Sequence, residues 1–104
     1  MDVGCGTGAI TAGIALAVGK NGSVVGVDRD ATLLAVGRQD HVGFPNLALV
    51  EGDALDLGME SRFDVVNAAR VLQWIGEPGR AIAQMKLATK PGGMVVALWS
   101  ETGL

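Results

Sequence analysis

The run Asp2-Val3-Gly4-Cys5-Gly6-Thr7-Gly8 constrains this chain more than any other stretch. Val3 reads as the end of an apolar strand. Gly4, Gly6 and Gly8 remove side chains where the backbone must bend sharply and let a ligand come close. From Gly8 or Ala9 the sequence turns helical, and a helix start presents unpaired N–H groups and a partial positive charge suited to anionic or electron-rich ligand atoms. Thr7 is the expected N-cap of that helix.

The rest of the chain alternates between strand and helix patterns. Ile10, Ile14, Ala17 and Val18 recur at helical spacing and predict a stripe packed on a sheet, with Gly19 as C-terminal cap. Lys20 to Ser23 is turn chemistry, and Val24 to Val27, ending in Asp28, predicts a second strand buried on both faces. Asp30 caps a helix running to about Gln39, with Leu33, Leu34 and Val36 as its apolar contacts. His41 to Asn46 reads as a loop, Leu47 to Glu51 as a third strand, and residues 55 to 62 as another loop. Phe63 to Asn67 predicts a fourth strand and Ala69 to Ile75 a short helix. Pro78 opens a further helix with Ile82, Met85 and Ala88 inward, and Pro91-Gly92-Gly93 breaks it before a fifth strand from Met94 to Trp99. Such alternation implies an α/β domain with a parallel sheet and right-handed crossovers. No internal repeat, linker or low-complexity tract interrupts it.

Composition narrows the function. With 104 residues there is room for one small domain, and 49% hydrophobic residues with 16 glycines fit a folded, turn-rich chain. A net charge of −3 leaves no basic footprint for nucleic acid. The single cysteine, Cys5, forms neither an internal disulfide nor, alone, a zinc site, which fits a reducing compartment. No metal site is expected. No run of about 18 uninterrupted apolar residues suggests a membrane span, and the default location is cytoplasmic.

Five segments carry a resemblance to a known family. DVGCGTG (2 to 8), VVGVDRD (24 to 30), EGDALDL (51 to 57), FDVVNAARVLQWI (63 to 75) and KPGGMVVALW (90 to 99) resemble, in order, the motifs of class I S-adenosylmethionine-dependent methyltransferases of the small-molecule type. The resemblance covers nearly the whole chain. It implies a doubly wound Rossmann-like sheet of five mainly parallel strands in the order 3-2-1-4-5 with flanking helices, and S-adenosylmethionine as cofactor. By the same resemblance Gly4, Cys5, Gly6, Thr7 and Gly8 form the loop under the cofactor, and Asp2 lies near the methionine amino group, directly or through water. Asp28 would accept from both ribose hydroxyls. Asp53 with Ala54 would read the adenine, and Arg29 stands where the family often has an aliphatic residue against the base. Asn67 lies where the fourth strand opens toward the methionine end.

Each of these residues has a plainer reading. Asp2 could brace the glycine turn, Asp28 could cap a helix, Arg29 could face solvent, and Asn67 need not meet the cofactor. Cys5 has no nearby partner suggesting nucleophilic use. His41 reads as an ordinary loop residue. Gln73 and Trp74 border either the substrate side or the core beneath a short helix, and Trp99 reads as sheet packing. Gly4-x-Gly6-x-x-Ala9 followed by Asp28 also satisfies a loose dinucleotide pattern. That reading brings a pyrophosphate, however, and three acids suit ammonium and hydroxyl donors better.

The acceptor is expected to be a small molecule, with its methylated atom unspecified and no general base assigned. The first strand lacks most of its apolar lead-in, the helix that precedes it in the family is missing, and the last two strands and the lid segments have no counterpart. Residues 1 to 104 are therefore expected to be a partial domain, a fragment or minimal cofactor-binding core, with a binding module lacking turnover as the second function class. The fifth strand would then be an exposed apolar edge, open to self-association or a partner chain.

Overall fold

The computed structural model describes residues 1–69 and 71–98. In chain order it contains β1 (Asp2–Val3), α1 (Ala9–Val18), β2 (Val24–Asp28), α2 (Ala31–Asp40), β3 (Leu47–Glu51), β4 (Phe63–Ala69), a 3-10 turn (Leu72–Trp74), α3 (Pro78–Ala88) and β5 (Thr89–Leu98). The strands make one sheet, β3-β2-β1-β4-β5, with every neighbouring pair parallel. This is the doubly wound α/β order that the resemblance implies. The two-residue β1 lies at the centre. It registers with β2 at Asp2–Gly26 and Val3–Val27, and with β4 only at Asp2–Asn67.

The chain crosses the sheet one way from β1 to β3 and the other way from β4 to β5, so right-handed crossovers put α1 and α2 on one face and α3 on the opposite one. Side-chain alternation agrees. Met1, Val3, Val27, Val66 and Ala68 form the main core with Met85 and Ala88 of α3, and Leu57 of the loop before β4 closes it. On the opposite face α1 and α2 rest on the β2–β3 side. Val65, neighbour to the buried Val66, therefore points to the face that α3 does not cover, and it is 45% exposed.

Capping chemistry sets most helix ends. Asp30 accepts from the Thr32 and Leu33 N–H groups at the start of α2, and Gly19, with φ of 71°, closes α1 by donating to the Ala15 carbonyl. Thr7 does not cap α1. Gly8, at φ of 80°, takes the N-cap position without a side-chain bond.

Several local expectations are corrected. The face of α1 against the sheet is Thr11, Ala12 and Ala15, whereas Ile10, Ala17 and Val18 point outward and Ile14 is half-buried. In α2, Leu34 is fully buried as expected, but Leu33 and Val36 are exposed and Gly37 joins Leu34 inside. Ile82 is half-buried, and Ala81 joins Met85 and Ala88 as the inward stripe of α3. β4 continues to Ala69 because Ala68 and Ala69 pair with Ala97 and Leu98, which leaves room for only a 3-10 turn where a helix is expected. β5 begins at Thr89, which registers with Phe63. Pairing then resumes at Val65–Met94, so four residues, Lys90 to Gly93, stand opposite the single Asp64. Trp99 lies outside the described residues, as does Arg70.

Candidate functional site

The site is built at the carboxyl ends of the strands, where open α/β sheets bind ligands. A crevice of about 260 Å³ opens there. One wall consists of Gly4 after β1, Asp28 and Arg29 at the end of β2, and Asp53, Ala54 and Leu55 after β3. The other is the segment after β4, with Val71, Trp74, Ile75 and Gly76.

The glycine loop is held from several directions. The Gly4 and Cys5 N–H groups both donate to the Val27 carbonyl, at 2.7 and 3.0 Å. Gly4 has φ of 75°, and a Cβ there would overlap the Val71 side chain. The far side depends on a glycine outside the motif: a Cβ on Gly37 would overlap the Thr7 carbonyl and crowd Leu49, so α2 sits flush on the loop only because Gly37 has no side chain. Gly6, by contrast, faces nothing closer than Leu33, 4.0 Å from where a Cβ would stand. The loop is therefore gripped at Gly4 and Thr7 and has open space at Gly6.

Asp28 joins the loop to the crevice. Its Oδ2 accepts from Gly6 N–H and its Oδ1 from Asp30 N–H, both at 2.8 Å. A carboxylate has about four acceptor positions, so two protein bonds leave capacity for two ligand donors. Asp53 is exposed, and among the described residues only its Oδ1 accepts a bond, from Leu55 N–H at 2.9 Å.

Asp2 is placed differently. It is buried beneath the loop, accepting from the Thr11 hydroxyl at 2.8 Å and the Asn67 amide at 3.0 Å. Asp2 and Asn67 thus form a polar tie joining β1, β4 and α1, outside the crevice lining. Cys5 is half-buried against Gly26, with its thiol donating weakly to the Gly6 carbonyl at 3.7 Å. Burial, reinforced by the negative charges of Asp28 and Asp2, pushes this thiol up to about 11, so it stays protonated at neutral pH. Cys5 is thus a packing residue here rather than a nucleophile.

Of the residues singled out in the sequence, Gly4, Asp28, Arg29, Asp53 and Ala54 meet around one crevice. Cys5, Gly6, Thr7 and Gly8 form the loop beneath it, and Asp2 and Asn67 support that loop. Trp74 joins the crevice lining and is 71% exposed, so it does not close the core. His41 ends α2 with its ring edge-on to Phe44 and is not among the crevice-lining residues. Val71, Ile75 and Gly76 were not singled out, since only the path of the chain after β4 brings them over the strand ends.

The sheet order, glycine loop and acid-lined crevice define a Rossmann-like ligand-binding domain. Residues 1–101 match the methyltransferase domain family, and the chain belongs to it. It is 39% identical over 99 residues to the demethylmenaquinone methyltransferase of Staphylococcus aureus (strain MRSA252), an alignment that covers 94% of this chain and 41% of that protein. The chain thus spans about two fifths of the length of the curated relatives it matches. Two solved structures are also similar. The [4+2]-cyclase SpnF superposes with a TM-score of 0.81 at 28% identity, over 91% of this chain and 36% of its own. CrArsM, an arsenic (III) S-adenosylmethionine methyltransferase from Chlamydomonas reinhardtii, superposes with a TM-score of 0.79 at 29% identity, over 89% of this chain and 36% of its own.

Proposed function

We propose that these residues form the cofactor-binding core of an S-adenosylmethionine-dependent methyltransferase acting on a small-molecule acceptor. The observation that carries the reading is the convergence of Asp28, Asp53 and Ala54 on one crevice above the glycine loop. The donor chemistry fits: S-adenosylmethionine offers ribose hydroxyls, an exocyclic amine and an ammonium, and the crevice offers carboxylates with acceptor positions to spare. A dinucleotide brings a pyrophosphate instead, and among the described residues the crevice's one basic side chain, Arg29, stands beside two acids.

When bound, S-adenosylmethionine supplies a methyl group made electrophilic by its sulfonium. The chain's own residues bind and orient. Asp28 takes the ribose hydroxyls while holding Gly6, Asp53 and the Ala54 N–H read the base, and the glycine loop supports the methionine end. Asp2 and Asn67 keep that loop on the sheet. Alignment of the acceptor and exclusion of water account for the rate, so no nucleophile or base is assigned. The demethylmenaquinone methyltransferase and CrArsM, named for different acceptors, support methyl transfer and leave this acceptor to be found among small molecules. Among the described residues no helix is long and apolar enough to cross a membrane. A cytoplasmic location is proposed on the single cysteine.

Titration calorimetry with S-adenosylmethionine, S-adenosylhomocysteine and NAD tests the reading. Binding of the first two and not of NAD is expected, and binding of NAD alone overturns it. Binding without turnover on any acceptor leaves the second reading, a cofactor-binding module.

A further inference from the structure

A second pocket, of about 140 Å³, lies between α2, the segment that follows it and the edge strand β3. Arg38, His41, Val42, Phe44, Leu47 and Leu49 line it, and it shares no lining residue with the crevice. Its polar groups are fixed by the fold. Arg38 reaches from α2 to the β3 edge, where Nε and Nη2 both donate to the Leu49 carbonyl, at 2.9 and 2.7 Å. These bonds hold the guanidinium head, and not merely its stem, at a wall of the pocket. A guanidinium carries more donors than one carbonyl takes, and those on Nη1 have no partner among the described residues. His41 is held as well. Its ring stands edge-on to Phe44 with centroids 5.7 Å apart, and its Cδ2 lies 3.6 Å from where a Cβ on Gly8 would stand.

The chemistry of this lining is the reverse of the crevice's. Among the described residues no acid lines it, and apart from Arg38 and His41 its side chains are apolar. An anchored guanidinium with donors to spare selects a planar anion, a carboxylate above all, which it can grip with two parallel N–H bonds. The Val42, Phe44 and Leu47 side chains favour a flat apolar body behind that charge. Size limits the body: an apolar cavity of about 150 Å³ holds benzene, so this pocket has room for one ring and little more.

We propose that this pocket is a second ligand site, for a small aromatic carboxylate, with Arg38 pairing the carboxylate and Val42, Phe44 and Leu47 flanking the ring. The site is separate from the crevice and does not depend on the cofactor reading. Its inner wall is nevertheless the back of the glycine loop. Leu49 and His41 abut Gly8, and Gly37, which also lines the pocket, abuts the Thr7 carbonyl. A seated ligand therefore touches the side chains on which that loop rests.

Benzoate is the probe, with benzamide as its uncharged counterpart and acetate as the carboxylate without a ring. In amide NMR spectra of the whole chain, benzoate should produce saturable shifts at Gly8, Gly37, His41 and Val42, with millimolar affinity. Benzamide and acetate should each bind at least about fivefold more weakly. Arg38→Lys keeps the charge but loses the fork, and should weaken benzoate about tenfold. Because Arg38 also braces β3, two changes at the exposed Val42 provide a check that leaves the fold alone. Val42→Lys should tighten benzoate and Val42→Glu weaken it, each by about threefold, with thermal melts that match the parent. The site is overturned by the absence of any saturable shift with benzoate, by shifts confined to Gly52, Asp53 and Ala54 of the crevice, or by equal affinity for benzoate and benzamide. Equal benzoate affinity in the two Val42 variants overturns it as well.

Discussion

The two halves of the sheet are finished to different degrees. On the β1–β2–β3 side both faces are covered, by α1 and α2 above and by the core around Leu57 below, and the β3 edge is partly masked by Arg38, whose Nε and Nη2 donate to the Leu49 carbonyl at 2.9 and 2.7 Å. On the β4–β5 side α3 covers one face only. Val65, Met94 and Leu98 stand on the other face, with Met94 and Leu98 59% and 58% exposed. The half that holds the glycine loop, Asp28 and Asp53 is the closely fitted one. Ligand geometry demands precision there, while the open half carries apolar surface that a further layer or another chain would cover.

The largest effect should come from disturbing the close fit. Gly37→Val pushes α2 off the Thr7 carbonyl and Leu49, and overpacking of this kind costs about 3 kcal/mol. Thermal melting should show a marked loss of stability and calorimetry a loss of S-adenosylhomocysteine binding. Gly79→Ala in α3, where a Cβ meets nothing within 4 Å, should be neutral or slightly stabilising. Equal melts for the two variants would break the comparison.

Next in size is Asp28→Ala. Read from the sequence alone, this change should lower affinity at least tenfold with little loss of fold. The bonds from Gly6 and Asp30 revise that expectation: the tenfold loss stays, joined by about 1–2 kcal/mol of stability as the loop loses its tether. Unchanged affinity in calorimetry would remove Asp28 from the ribose site.

Cys5 gives a smaller effect with a fixed sign. Its folded value of about 11 lies above the ordinary thiol value of 9.0, so the native state binds the extra proton between these limits. Its contribution is complete below pH 9 and is lost as pH rises toward 11. Denaturant melts across that range should show stability falling more steeply for the parent than for Cys5→Ala. A parallel fall would show that the thiol is not responsible.

The smallest change in stability belongs to the open half. Met94→Lys with Leu98→Lys should shift stability by no more than about 0.5 kcal/mol per site, because both side chains are exposed. Sedimentation should nevertheless move toward monomer, since an apolar edge strand invites pairing. A parent chain that is already a clean monomer at every concentration would show that the open strip is harmless.

The same contrast explains what the sequence made legible. Strand order and the acid positions could be read because each depends on a local signal: a glycine turn, a strand ending in Asp28, a Gly52-Asp53-Ala54 step. The inward face of α1 could not. That helix is apolar nearly all round, so more than one stripe has helical spacing; the stripe of Ile10, Ile14, Ala17 and Val18 is not the inward one, and the smaller Thr11, Ala12 and Ala15 meet the sheet instead. Gly37 was visible as a lone glycine inside a helical pattern, which often marks close packing, but its partner at Thr7 appears only in three dimensions. The position of Trp74 depends on how far β4 runs before turning, and strand pairing as far as Ala69 decides that.

The brevity of β1 has a mechanical consequence. β2–β3 and β4–β5 are long ladders, with five and six registered pairs, but the seam between β1 and β4 has one registered pair, reinforced by the Asn67–Asp2 bond and the backbone bonds of Met1. A load pulling the two ladders apart would concentrate on that seam. The crevice straddles it, with one wall on the β1–β3 side and the other on the segment following β4. A molecule seated there would act as a rivet, and the sheet should yield at a higher force with the crevice filled than with it vacant.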